Sequence, residues 1–575
     1  MSNIMSQTKL RNSVSRNSFD LSHKVAYTGK IGELLPVACF EVIPGDKIKG
    51  KVEHFTRTQP VNTAAYTRIR EYYDWFFVPT NLLWNKFNTF VSQMVDNNQH
   101  ATSITVSQVL TDQHPYFTTN QLASYVASMS TGANSANIFN YNRGKLTAKL
   151  LNYLGYGDFY ISSSTGTAQT YRVNANLNPF PLLAYQKIYQ DYFRNSQWEK
   201  AYSPAFNIDY ISGASGSLNI PVSTLTSQSR TTENMFDLRY CNWNKDQFMG
   251  LLPNSQYGNS ASFFAPRVGS QFGPADGTVV STDSGQSVVF DSTRIQQLSY
   301  ALNLTTSQFS ILALRQAEAL QKWKEVTLSQ QQDYKSQIEA HFNVSMSDAY
   351  SERCKYVDGS VSSLDISEVM NTNLADGNAA DIAGKGVGAG SAGFSFSSDV
   401  HGYLMCIYHA VPLLDYALDG IQRQNLKTMV TDYAIPEFDK TGMVSVPMVE
   451  LTNSPDNPTF TAELLGYAPR YYDYKTRVDV VRGAFYKGTD DITNWVAPID
   501  TTYIQKYIEA MHGNGSSITY QWFKVNPAIM NPIFMRPVSN DYSNNPYGLD
   551  DEQLLINSSF DVTAIRNLDR NGLPY

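Results

Sequence analysis

The chain has 575 residues, 42% of them hydrophobic and 17% charged, which is enough apolar material for a large core and carries no general signature of disorder. A formal net charge of −7 argues against a protein whose whole surface grips nucleic acid, so any such contact must be local. Cys39, Cys241, Cys354 and Cys406 are too scattered for a disulfide framework or a zinc site, and no apolar run approaches the ~20 residues of a membrane span, so a soluble, cytoplasmically made product with no membrane insertion is expected.

Residues 1–30 form a basic segment, with Lys9, Arg11, Arg16, Lys24 and Lys30 set against the single acid Asp20. It reads either as a solvated N-terminal arm or as one that touches polyanion. From Val37 to Phe77 the pattern is strand-like: Ile48, Gly50, Val52 and His54 alternate with Lys and Glu after a Pro44-Gly45-Asp46 turn, and the run from Tyr66 to Val78 stops at Pro79. A helical and loop insertion then spans residues 80–200. One apolar face in it runs through Leu83, Phe87, Phe90, Val91 and Met94, and a second through Leu182, Tyr185, Ile188, Tyr189, Tyr192 and Phe193, opened by Pro181.

Residues 254–302 are rich in Gly, Ser, Asn and Gln and read as a surface loop. Residues 305–343 read as a helical pair whose first member carries Phe309, Leu312, Gln316, Leu320 and Trp323 on one side, behind a Thr305 to Gln308 capping box. Residues 376–393 read as a flexible glycine loop. Strand signal returns in Tyr403 to Val411, Met443 to Leu451 and Tyr474 to Tyr486. A chain that begins and ends in strands suits one mainly β domain over residues 31–575, a barrel or sandwich with elaborated connections.

Catalytic motifs fail on context. The G-x-G-x-x-G from Gly388 to Gly393 follows a polar stretch and leads into Phe394-Ser395-Phe396, whereas a dinucleotide fingerprint follows a strand and opens a helix. His401 and His409 have no acidic partner at metal-site spacing and read as barrel-strand histidines. The acid pairs Asp415/Asp419 and Asp490/Asp491 sit in turn-rich sequence, where carboxylates are usually solvated. No catalytic, cofactor or metal residue is assigned, and the protein is read as not an enzyme.

Several local sequences, in order along nearly the whole chain, resemble the major capsid proteins of the Microviridae, in particular the gokushovirus-like branch. They include Gly32-Glu33-Leu34-Leu35-Pro36, Glu41-Val42-Ile43-Pro44-Gly45-Asp46, Asp74-Trp75-Phe76-Phe77-Val78-Pro79, and Asn178-Pro179-Phe180-Pro181. Later come Leu314-Arg315-Gln316-Ala317, Ile338 to Val344, His401-Gly402-Tyr403 and Gly466 to Tyr471. Asn343 departs from the pattern, standing where Gly is expected, as does the sequence around Arg353 to Gly359.

The resemblance implies a single eight-stranded jelly-roll barrel with large insertions between strands. It further implies a structural protein that self-assembles into a small icosahedral T=1 shell around the circular single-stranded DNA of a tailless bacteriophage. Implied partners are copies of itself, the DNA genome, a small basic DNA-packaging protein, other phage structural proteins and a host surface receptor, with the product in the virion after assembly in the bacterial cytoplasm. Lys9, Arg11 and Arg16 are the residues we expect to contact nucleic acid. The rival reading is a secreted carbohydrate-binding or carbohydrate-cleaving β protein, suggested by the Tyr, Trp and Asn content and opposed by the missing export signal.

Overall fold

A computed structural model describes residues 15–92, 113–130, 137–139, 141–159, 170–211, 216–221, 233–256, 258, 311–331, 333–347, 351–370, 382–417, 420–453, 464–487, 491–500, 503–504, 518–536, 538 and 552–570. The chain divides into two compact units, one of Met1–Pro253 with Met346–Tyr575 and one of Asn254–Ser345. The fold is mainly β, as expected, with helices inserted between strands.

Nine strands of the first unit form one antiparallel sheet: β1 (Asn17–Asp20), β2 (His23–Gly29), β3 (Leu35–Val42), β4 (Lys47–Thr58), β5 (Ile69–Pro79), β6 (Lys355–Met370), β7 (Ile382–Ser397), β8 (Gly402–Pro412) and β9 (Leu554–Arg566). Their order is β1-β9-β4-β7-β6-β5-β8-β3, with β2 also on β9. Strands β1 and β2 run end to end along one edge of β9, Asn17 opposite Arg566 and His23 opposite Phe560. The segment read as an arm over residues 1–30 is therefore sheet from Asn17 onward, because β9 offers a free ladder edge that these alternating residues fill. The resemblance implies an eight-stranded barrel, whereas the described pairing is one curled sheet of nine strands, eight in a single path with β2 off it.

The sheet curls, and its two ends meet through side chains: the rings of His23 on β2 and Phe40 on β3 lie 5.7 Å apart, and Arg566 Nη2 on β9 donates to the Glu41 carbonyl at 2.6 Å. Alternation decides what fills the curl. On β4, Ile48, Val52, His54 and Thr56 point in while Lys47, Lys49, Lys51, Glu53, Phe55 and Arg57 point out; on β9, Ile556, Phe560, Val562 and Ala564 point in. Trp75 of β5 stacks on Phe394 of β7 at 3.9 Å and meets Phe560 edge-on at 6.0 Å. The hydroxyls of Tyr27, Tyr73 and Ser558 hydrogen-bond one another at 2.8–3.3 Å, satisfying three polar groups inside the curl.

Glycine in β7 corrects the expected loop. Residues 382–393 of the 376–393 stretch are strand, residues 382–388 pairing with β6 and residues 387–393 with β4. The reason is steric: a Cβ on Gly388 would lie 2.2 Å from Glu71 Oε2, and one on Gly390 would lie 2.4 Å from His54 Cε1. Ladder bonds on both edges hold the strand, and glycine lets large inward side chains occupy the space beneath it. Strand β8 shows no alternation and is buried along its full length.

The later strand signals also need correction in part. Met443–Pro447 is a strand, paired with Leu464–Pro469, but Tyr474 to Tyr486 holds only single helical turns, Tyr472–Lys475 and Ala484–Lys487, around an irregular stretch. That stretch meets Tyr416 in one isolated bridge at Val480, too little pairing to make a strand.

Insertion helices are α1 (Phe87–Ser92), α2 (Thr119–Ser130), α3 (Arg143–Tyr153) and α4 (Phe180–Ile188), the last continuing as a π-turn through Tyr189–Phe193. Helix α3 is tied to the barrel by a buried charge cluster, in which Lys149 Nζ donates to Glu33 Oε2 at 2.7 Å and to both Glu552 oxygens at 2.7 and 2.8 Å. Burial alone would lower the Lys149 pKa, but the two carboxylates hold it above the ordinary lysine value. Breaking such a cluster from one side costs about 3–5 kcal/mol, since it leaves buried charge uncompensated.

The second unit contains α5 (Ile311–Ser329) and α6 (Tyr334–Phe342), the expected helical pair. Trp323 of α5 stacks on His341 of α6 at 6.1 Å. The apolar face read on α5 is half-exposed at Leu320 and Trp323. The proposed capping box, Thr305 to Gln308, lies outside the described residues, as do residues 259–302 of the expected surface loop.

Candidate nucleic-acid interface

Lys9 and Arg11 lie outside the described residues; Arg16 is the described member of the expected contact set. Its guanidinium donates to the Gly45 carbonyl at 2.6 Å, at the turn that opens β4, so Arg16 closes the first corner of the sheet. Gly45 has φ of 89° and Asp46 is fully buried, its carboxylate facing Arg566 Nε at 3.2 Å and accepting from the Ile43 amide at 3.1 Å. The other two basic residues of the N-terminal segment separate: Lys24 is exposed on β2, whereas Lys30 is buried with its Nζ 5.4 Å from the Tyr141 ring and is lost to any external ligand.

Immediately beyond the Arg16 corner the outward face of β4 presents Lys47, Lys49, Lys51 and Arg57, all exposed. Register places Lys24 beside Ser559, and Asp561 directly opposite Lys51. Lys51 also donates to Glu53 at 2.5 Å, so its charge is largely neutralised. The stripe offers sequence-independent attraction for a polyanion, with Phe55 and Arg57 stacked at 5.0 Å as its one aromatic element. Sequence reasoning had the signal for these lysines, since it used their alternation with Ile48, Val52 and His54, but read the pattern only for the buried side.

Two histidine–carboxylate pairs lie enclosed against the curled sheet. His54 stacks on Tyr73 at 4.4 Å, bonds Ser362 Oγ at 3.0 Å, and faces Glu71 at 3.8 Å with both side chains sealed from solvent, at 2% and 0% exposure. Burial pushes the His54 pKa down to about 4 and the Glu71 pKa up. No substrate can reach a pair so enclosed. His409, on β8 as expected, stacks on Tyr72 at 4.7 Å and faces Asp74 at 3.8 Å; burial takes its pKa down to about 3 and that of Asp74 up to about 6. His401 sits just before β8. Among the described residues no cluster of His, Cys, Asp and Glu could hold a metal ion, and Asp419 and Asp490 lie outside them.

Comparison with known proteins bears on the chain as a whole. A family model described as capsid protein (F protein) matches residues 7–144 and 154–497. The chain is similar to capsid protein VP1 of Chlamydia phage 1, 23% identical over 535 residues that cover 84% of this chain and 86% of the relative. It is also similar to capsid protein VP1 of Bdellovibrio phage phiMH2K, 23% identical over 533 residues that cover 86% of this chain and 85% of the relative. With the family model spanning eight of the nine strands that build the curled sheet, all but β9, and most of the helices inserted between them, this chain belongs to the phage capsid protein (F protein) family, in keeping with the Microviridae resemblance of its local sequences.

Proposed function

We propose that this protein is the structural major capsid protein of a small tailless phage, not an enzyme, and that about sixty copies close into a T=1 icosahedral shell around circular single-stranded DNA. The observation that carries this reading is the family match over most of the chain. The curled sheet is consistent with a shell-forming jelly-roll barrel whose insertions supply inter-subunit contact area. The virion is the site of action, with assembly in the bacterial cytoplasm alongside a small basic packaging protein and other phage proteins. Residues 254–302 serve as an outward loop that meets the host receptor. The N-terminal segment, through Lys9, Arg11 and Arg16, lies against the DNA, and the β4 stripe beside Arg16 extends that contact. Electron microscopy of the full chain co-expressed with its cognate phage proteins tests the reading: closed shells or symmetric sub-assemblies are expected, and a strictly monomeric species by light scattering overturns it.

A further inference from the structure

Away from the β4 stripe, the first unit contains a cleft of about 1150 Å³ between residues 420–433 and 473–483. That volume is beyond what one small ligand ordinarily fills, and an extended polymer segment suits it better. Four cations line it, Arg423, Lys427, Arg477 and Arg482, against two acids, Glu450 and Asp473. Both acids are already engaged. Glu450 accepts from the Tyr472 hydroxyl at 2.5 Å and faces Arg423 at 3.6 Å, while Asp473 pairs with Lys427. Arg477 and Arg482 are exposed and have no hydrogen bond or ion pair among the described residues. They flank Val478–Val481, a segment pinned by two backbone bonds to the buried Tyr416, Tyr416 N to the Asp479 carbonyl and Val481 N to the Tyr416 carbonyl, each 2.9 Å. The backbone that carries both arginines is thus held beside the cleft.

The remaining lining supplies flat rings and amides. Tyr433 and Tyr474 are 56% and 55% exposed, and Lys427 Nζ sits 3.8 Å from the Tyr474 ring centre, fixing that ring in place. Gln422 and Gln424 bond each other at 3.1 Å at the rim. Guanidinium groups without a partner among the described residues, exposed tyrosine faces and side-chain amides together match phosphates, unstacked bases and base edges. We propose that this cleft seats a short single-stranded DNA segment, with Arg477 and Arg482 on phosphates and Tyr474 stacked on a base. An acidic peptide would use the arginines but leave the exposed rings without a role. The proposal rests on the capsid reading for its ligand, but the cleft can be tested without a shell.

The test is binding of a fluorescent oligothymidylate by the purified full chain as salt is varied. R477Q/R482Q should weaken binding at least tenfold and reduce the slope of log affinity against log salt by about 1.4, at roughly 0.7 per single-strand phosphate contact. Y474L should weaken binding at least fivefold with little change in slope, and Y474F should restore it, because stacking needs the ring and not the hydroxyl. Unchanged affinity and slope in R477Q/R482Q protein with wild-type circular dichroism overturns the proposal. So does polyglutamate of matched charge competing as well as the oligonucleotide. Cleft-dependent binding by a chain that never forms shells would instead overturn the capsid reading and leave the cleft standing.

Discussion

At the scale of single residues, the groups enclosed by the curled sheet shape how the protein responds to acid. His54 titrates at about 4 when folded and near 6.5 when unfolded, so between those values the unfolded chain takes up a proton that the folded chain refuses. Stability therefore falls as pH drops through that window, by up to roughly 3 kcal/mol for this residue. His409, held down to about 3, acts with the same sign. Asp74, raised to about 6 by its burial, acts oppositely between pH 6 and 4, since the folded form is then the better proton binder. Glu71, also raised by burial, acts with Asp74 and against the imidazoles, so the H54Q comparison is what isolates the histidine contribution. Thermal unfolding of H54Q should show a shallower fall between pH 6.5 and 4 than the wild type; identical slopes would show that His54 titrates freely in the fold.

At the scale of elements, β7 is the most instructive, because its composition suggests one state and its surroundings impose another. Glycine lowers strand propensity and no local signal opposes the loop reading. What decides is the crowded space beneath Gly388 and Gly390, filled by Glu71 and His54 from strands distant in sequence. G388A should destabilise by about 1–3 kcal/mol through overpacking against the Glu71 carboxylate, measured by chemical denaturation. G393A, whose added Cβ would find only the Gly50 carbonyl at 3.6 Å, is the control and should be tolerated. Helix α6 gives the converse lesson. Asn343, standing where the family resemblance leads one to expect Gly, adopts φ 53° and ψ 37° at the helix end, the left-handed conformation that Asn tolerates best after Gly. The departure in residue type preserves the backbone.

At the scale of the whole molecule, the outward stripe of β4 and the Arg16 corner lie together, so the N-terminal segment enters the sheet beside its most basic face. Replacing Lys9, Arg11 and Arg16 with Gln should give normal shells that have lost DNA, read by nuclease-protected nucleic acid per particle. Failure to assemble in the absence of DNA would assign the segment to clamping a neighbouring subunit. Because Arg16 also holds the Gly45 carbonyl, K9Q/R11Q with Arg16 intact separates charge from that corner contact.

The sequence by itself determined the class of fold and the family, because both are written in short-range pattern. Period-two alternation marked β4, the aromatic run ending at Pro79 marked β5, three- and four-residue spacing marked α4 and α5, and ordered local matches along the chain carried the family. Tertiary structure alone decided which strands are neighbours, that residues 382–388 pair with β6 and residues 387–393 with β4, and that Tyr474 to Tyr486 makes an isolated bridge, Val480 to Tyr416, in place of a strand. It alone brought Arg423, Lys427 and Arg482 to one cleft and sealed His54 against Glu71. These are contacts between residues tens to hundreds of positions apart, and no local propensity encodes them, because each depends on the volume and charge that other strands happen to place there.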